Sequence, residues 1–187
     1  MNIYLRQLEL DDLDAYLSAQ LPHRAYHRMN GPYFPKASQA ELKEQMACFR
    51  EMLSSGKDPL PHKKIIASRT SDVLIGEVNW YWKSKETNWL EIGIVIFDEN
   101  FWGKGIGCIA LKQWIDHLFT EKPALVRIGL TTWSGNTAMM RLAEKLQMRK
   151  EAQYRKARIV DGQYHDSVSY GILKEEWEAI SSSLKGN

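Results

Sequence analysis

A chain of 187 residues is enough for one buried core and short for two, so a single domain spanning 1–187 is expected. Hydrophobic residues make up 44% and charged residues 26%, and 25 Lys plus Arg against 23 Asp plus Glu leave a net charge of +2 spread among acids. That balance has no footprint for capture of a nucleic-acid backbone, and no apolar run approaches the roughly 20 residues of a membrane span, so neither nucleic acid nor membrane is an expected partner. The N-terminus enters a strand-like alternation without the basic head and apolar middle of a leader, which points to the cytoplasm. Cys48 and Cys108 read as buried free thiols on helices.

In chain order, Ile3, Leu5 and Gln7 alternate with Tyr4, Arg6 and Leu8 as in a strand, and Asp11 and Asp12 then open a helix carrying Leu13, Tyr16, Leu17 and Ala19. The stretch 22–36 mixes Pro, Gly, His and aromatics with neither period and reads as a loop; Tyr33 and Phe34 within it are candidates for choosing an acceptor. Ser38 followed by Glu41 is a capping box, after which Leu42, Met46, Phe49 and Leu53 fall at helical spacing to about Gly56. Strand-like runs at 64–68, 73–82 and 89–97 follow, joined by short turns that favour an antiparallel meander. The aromatics of 80–89 are dense enough to line a pocket or simply to pack. After a glycine-rich turn comes a helix with Leu111, Trp114, Ile115, Leu118 and Phe119 on one stripe, then a buried strand over 125–132. Strand, helix and strand in that order predict a parallel pair with a right-handed crossover. A helix over 136–146 and two strands near 151–159 and 168–173, flanking the turn Val160-Asp161-Gly162-Gln163, complete the pattern.

The strongest chemical feature is Trp102-Gly103-Lys104-Gly105-Ile106-Gly107, placed between a buried strand and a helix start. Glycines there turn the backbone tightly and aim several N–H groups at one point, while the helix N-terminus adds partial positive charge, which together make a pyrophosphate cradle. A plain glycine-rich turn is the other reading. Cys108 and Ile109 after Gly107 do not continue into a P-loop. The Gly-x-Gly-x-Gly spacing, with Thr131-Thr132 ending the next strand, departs from a dinucleotide fingerprint. His23 and His27 stand four apart with no third ligand nearby, and no metal site is read. Lys104, Arg141 and Lys145 are basic residues at or after the cradle.

Along most of its length the chain resembles the GNAT acetyltransferases, in the branch of ribosomal-protein N-terminal acetyltransferases. The family signature is Arg/Gln-x-x-Gly-x-Gly/Ala after the fourth strand. Here Gly105 and Gly107 carry its glycines, and Trp102-Gly103-Lys104-Gly105 is the form common in that branch. Asn136, Glu144-Lys145-Leu146, Gly162, Asp166, Tyr170 and Glu176-Trp177 continue its pattern. Met139 and Gln147 replace the branch's usual Ser and Gly, and Ala143 stands where many members carry an acidic Tyr; Gln147 is costly if that helix ends in the left-handed conformation.

The resemblance implies a mixed α/β fold: a seven-stranded, mostly antiparallel sheet splayed between strands 4 and 5, flanked by about four helices. It implies acetyl-coenzyme A as cosubstrate, with the pantetheine arm in the splay, pairing with backbone of Ile94, Val95 and Ile96 and hydrogen-bonded by Asn136. The phosphates would then lie over Trp102, Gly103, Lys104, Gly105, Ile106 and Gly107. An acetyl group would pass directly to an amine, a protein N-terminus or a small amine, with the Val95 N–H polarising the carbonyl oxygen and no metal. A homodimer is compatible with this scheme. Of the acids near the acceptor end, Glu77 and Glu91, the second lies on the strand of the thioester and is the candidate catalytic base. A non-catalytic acyl-coenzyme A sensor and a nucleotide-dependent oxidoreductase are the alternative functions.

Overall fold

The computed structural model of the protein describes residues 2–30 and 36–183, so Tyr33 and Phe34 lie outside the described residues. Its sheet consists of β1 (Ile3–Arg6), β2 (Lys63–Ser68), β3 (Leu74–Ser84), β4 (Trp89–Ile96), β5 (Arg127–Trp133), β6 (Arg149–Val160) and β7 (Gln163–Leu173), in the spatial order β1-β2-β3-β4-β5-β7-β6. The helices are α1 (Leu13–Gln20), α2 (Gln39–Ser54), α3 (Ile106–Glu121), α4 (Thr137–Lys145) and α5 (Lys174–Ser183). β4 and β5 run parallel, as their strand-helix-strand order predicts, while β1–β2, β2–β3, β5–β7 and β6–β7 are antiparallel. The mixed α/β expectation holds, with five α-helices among the described residues where about four were expected. The missed helix is α5, which follows β7 with no Gly or Pro between to mark its start. No helix among the described residues is long and apolar enough to cross a membrane. The chain divides into two compact units, 1–79 with 94–113 and 80–93 with 114–187.

In the first unit α2 starts on the expected capping box: Ser38 Oγ accepts from Glu41 N–H at 3.3 Å and Glu41 Oε2 accepts from Ser38 N–H at 2.7 Å. These bonds hold the Glu41 carboxyl below its usual range and satisfy two of the donors that a helix start leaves open. The apolar stripe of α2 then buries Leu42, Met46 and Phe49. Met46 and Phe49 join Leu8, Leu13, Tyr16, Tyr26, Ile65 and Phe97 in one core. Cys48 falls on the opposite side of the helix and is exposed, which corrects the expectation that it is buried. The presumed loop at 22–36 is partly structured: Ala25–Arg28 forms a 3-10 turn that buries Tyr26 against Phe97, ring centroids 5.6 Å apart. Tyr26 is the one side chain that the turn buries, too little to show a period.

In the second unit the expected stripe of α3 is buried through Trp114, Ile115, Leu118 and Phe119. Trp177 of α5 is 3% exposed, with its indole N–H donated to Asp116 Oδ1 at 2.7 Å. The β6–β7 hairpin turns through Asp161 (φ 49°) and Gly162 (φ 75°), consecutive left-handed residues whose twist suits a two-residue hairpin turn. β6 runs further than the expected 151–159 because it is an edge strand, exposed along most of its length and without a buried alternation. A bulge at Lys156 (φ 54°), whose N–H is donated to Asp166 Oδ1 at 2.9 Å, kinks it and blunts the edge against pairing with other chains.

The end of α4 carries the anticipated strain. Gln147 has φ 59°, and Met148 N–H to Ala143 O (3.0 Å) with Gln147 N–H to Glu144 O (2.9 Å) close a Schellman motif that glycine suits best. Gln147→Gly removes a left-handed penalty of about 1 kcal/mol. The melting temperature is expected to rise by roughly 2–4 °C; a thermal melt with no rise contradicts the strain.

Candidate active site

The glycine loop belongs to the first unit and is assembled from the end of β4 onward. Asp98 Oδ1 accepts from Asn100 N–H at 2.8 Å and starts the 3-10 turn Glu99–Phe101; Trp102 then donates its indole N–H to Ile96 O at 3.0 Å. Trp102 is thus a strut that ties the loop to the strand, and its ring packs against the core. Gly103 (φ 72°) and Gly105 (φ 78°) are left-handed, and a Cβ on either would meet nothing within 4 Å. The backbone conformation requires glycine, and the space in front of both is open. The Gly105 carbonyl accepts the first α3 bonds, from Cys108 N–H at 3.1 Å and Ile109 N–H at 3.2 Å. The N–H groups of Ile106 and Gly107 precede those bonds at the positive end of a sixteen-residue helix. Ile106 is 1% exposed, so its side chain is core and only its backbone is available to a ligand. Lys104 is exposed, its Nζ 6.0 Å from the Phe101 ring centroid.

On β4 the backbone near Val95 lies close to β3. A Cβ on Gly76 would stand 2.2 Å from Val95 O and 3.1 Å from Ile96 Cα, so glycine is what lets β4 take this course. Gly76 is absent from the candidates above, because a lone glycine in a strand pattern does not say which neighbour approaches it.

In the second unit, β4 pairs with β5 over Trp89, Leu90 and Glu91, opposite Arg127, Ile128 and Gly129, although β4 continues to Ile96 and β5 to Trp133. The ladder between the parallel strands therefore ends at Glu91, the position at which the expected splay begins. Glu91 itself is 2% exposed. A carboxylate so placed needs partners, and it has them. Tyr81 O–H is donated to Oε2, Thr131 O–H to Oε1 at 2.9 Å, and Lys83 Nζ stands 3.8 Å from Oε1. The Thr131 hydroxyl also meets Ser169 Oγ at 3.0 Å, which extends the chain of polar groups across β3, β4, β5 and β7. Burial first, then the Glu91 carboxylate, pushes the Tyr81 phenol well above its usual range.

The aromatic cluster of 80–89 divides by alternation. Trp80 and Trp82 pack edge to face at 5.5 Å with Lys122 Nζ 4.3 Å from the Trp80 centroid, whereas Tyr81 turns to Glu91 and Trp89 stacks under Arg127 at 4.6 Å. Tyr81, Thr131 and Ser169 are the polar residues that sequence pattern alone does not nominate.

Asn136 is the N-cap of α4, its Oδ1 accepting from Met139 N–H at 3.1 Å, which leaves the Nδ2 amide as the part that can meet a ligand. Ala143 is fully buried, so a phenol at that position would have to displace the core. Arg141 and Lys145 are exposed helix residues.

Residues 2–149 match the model of the acetyltransferase (GNAT) domain. The SPbeta prophage-derived uncharacterized N-acetyltransferase YokL of Bacillus subtilis is 25% identical over 95% of this chain and 93% of its own length. The putative ribosomal N-acetyltransferase YdaF of the same organism is 36% identical over 47% of each chain. Among solved structures, spermidine N-acetyltransferase from Vibrio cholerae, in complex with CoA and spermine, has a TM-score of 0.72 at 20% identity, covering 94% of this chain and 98% of that one. That last likeness is one of fold.

Proposed function

Because the chain belongs to the GNAT acetyltransferase family, we propose that it moves the acetyl group of acetyl-coenzyme A onto a primary α-amine, with its 187 residues acting as one catalytic domain. The observation that carries this reading is the pair of left-handed glycines with open space before them at the start of α3. They fit a pyrophosphate, which takes hydrogen bonds from backbone N–H groups at close range.

Acetyl-coenzyme A supplies an acyl group already activated as a thioester. Gly103, Lys104, Gly105, Ile106 and Gly107 hold its phosphates through backbone N–H, with the Lys104 ammonium as an added charge. Trp102 keeps that loop in register with β4. Backbone of Ile94, Val95 and Ile96 pairs with the pantetheine arm, and the Val95 N–H faces the carbonyl oxygen on which charge develops. One acceptor on this stretch, Ile96 O, is already shared with the Trp102 indole. Glu91 receives the proton that the amine must lose.

The acceptor class follows from that proton. At pH 7 a lysine-like amine of pKa about 10.4 costs roughly 4.6 kcal/mol to deprotonate, and an α-amine of about 7.8 roughly 1 kcal/mol. With Ala143 at the position of the family's phenol, the site is better matched to the smaller cost. Lys83 beside Glu91, and Arg158, whose charge acts on Tyr81, also disfavour a polycation. Calorimetry with acetyl-coenzyme A, followed by thiol release in the presence of free-α-amine peptides, lysine side-chain peptides and spermidine, tests the reading. Saturable binding and thiol release led by the α-amine peptides are expected; absence of binding heat ends it.

Asn136→Asp separates two roles in one side chain. It keeps the capping oxygen and discards the amide N–H, so acetyl-coenzyme A affinity should fall by roughly 0.5–1.5 kcal/mol with no loss of thermal stability. Asn136→Ala should lose the cap as well, about 1 kcal/mol. Equal affinity in Asn136→Asp and wild type makes Asn136 a cap alone.

A further inference from the structure

Two carboxylates, one in each unit, are buried and accept a phenol O–H, yet their surroundings differ. Glu77, 6% exposed, takes the hydroxyl of Tyr16 at 2.6 Å and the Lys63 ammonium at 2.7 Å. Tyr16 is 1% exposed, so this phenol is sealed within the core and the pair is structural. Glu91, 2% exposed, takes the hydroxyl of Tyr81, which is 51% exposed. The Glu91 carboxylate is closed to solvent while the group bonded to it is open. Of its other neighbours, the Thr131 hydroxyl and Ser169 beyond it are half-buried and less open than Tyr81, and the Lys83 ammonium, at 3.8 Å, has no lone pair with which to accept a proton.

We infer that Tyr81 is a catalytic residue, whose phenol oxygen takes a proton from the acceptor amine as its own proton passes to Glu91. The inference rests on the acetyl-transfer reading above. One amine N–H bond breaks and a phenol O–H forms; the original phenol O–H breaks and a carboxyl O–H forms at Glu91 Oε2. The ammonium becomes a neutral amine with its lone pair free, the phenol ends as it began, and the carboxylate ends protonated. Glu91 and burial both disfavour the phenolate, which suits a hydroxyl that gives and receives in one motion. The groups bearing on this pair are Lys83 from β3, Thr131 from β5, Ser169 from β7 and the Arg158 charge from β6.

Tyr81→Phe keeps the ring and removes the relay, and Glu91→Gln removes its terminus. With free-α-amine tetrapeptide amides as acceptors at pH 7, each is expected to lower kcat by about 10²-fold or more while KM for acetyl-coenzyme A holds. The double variant is expected to be no slower than the slower single one, since both changes cut one path. The Tyr81→Phe deficit should narrow as pH rises and bulk solvent deprotonates the amine. Wild-type kcat in Tyr81→Phe, wild-type kcat in Glu91→Gln, or losses that multiply in the double variant each overturn the inference. A wild-type protein that binds acetyl-coenzyme A but transfers to no amine fails at the earlier step, and the reading and the inference fall together.

Discussion

Gly105→Val is expected to abolish measurable acetyl-coenzyme A binding in a protein that still folds. The substitution acts twice. At φ 78° a branched side chain meets the left-handed penalty of about 1–2 kcal/mol, which it relieves by turning the backbone and its neighbouring N–H groups away. Its methyl groups also enter the open space in front of the loop, where the phosphates are proposed to sit. Hydrogen bonds to charged groups are worth about 1.5–3 kcal/mol each. Losing two weakens binding by roughly 3–6 kcal/mol, about 10²–10⁴ in Kd. Calorimetry measures the loss, and a near-native melting temperature separates it from unfolding. Unchanged affinity in a folded Gly105→Val would place the phosphates elsewhere.

Glu91→Gln is expected to lower turnover by roughly 10²–10⁴ with acetyl-coenzyme A affinity retained. The amide has the shape of the carboxylate and removes a buried charge, so the packing around it survives. The amide cannot take a proton from an amine. A titration of rate against pH is the discriminating measurement: the deficit should be widest near pH 7 and shrink toward the acceptor's own pKa. A variant that follows the wild-type profile throughout leaves Glu91 as a charge that holds the amine.

Features made within a few consecutive residues were legible before any coordinates. The Ser38–Glu41 capping box, the α3 stripe, the Asp161-Gly162 turn and the strained Gln147 each depend on neighbours along the chain, where spacing maps directly onto geometry. The glycine loop belongs to this class too, and its two left-handed residues stand where the motif puts them. Side-chain contacts made between distant segments were not legible, although the parallel β4–β5 pairing was. Glu91 could be named as an acid on the right strand, but its partners Tyr81 and Thr131, and Ser169 beyond Thr131, come from three other strands, and no local period reports a pairing of that range. Gly76 was invisible for the same reason: its necessity lies in the Val95 carbonyl. Length was misjudged where exposure erased alternation, as along β6, and α5 was missed where no breaking residue announced it.

The discontinuous make-up of the two units has a consequence for the order of synthesis. Every residue of the first unit exists once Gln113 has been joined, whereas 80–93, which carries Tyr81 and Glu91, was made earlier and belongs to the second. Glu91 then waits for Thr131 on β5 and Ser169 on β7. At about 5–20 residues per second the interval from Glu91 to Ser169 lasts roughly 4–16 s. Until Gly129 has been joined, roughly the first 2–8 s of that interval, the β5-facing edge of β4 at Trp89–Glu91 has no partner, the condition under which nascent strands pair with other chains. Ribosomes that pause between Gln113 and Arg127 therefore prolong the most aggregation-prone state of this chain, and Lys83, Lys85 and Glu86, carried with that edge from the start, keep it charged until β5 arrives.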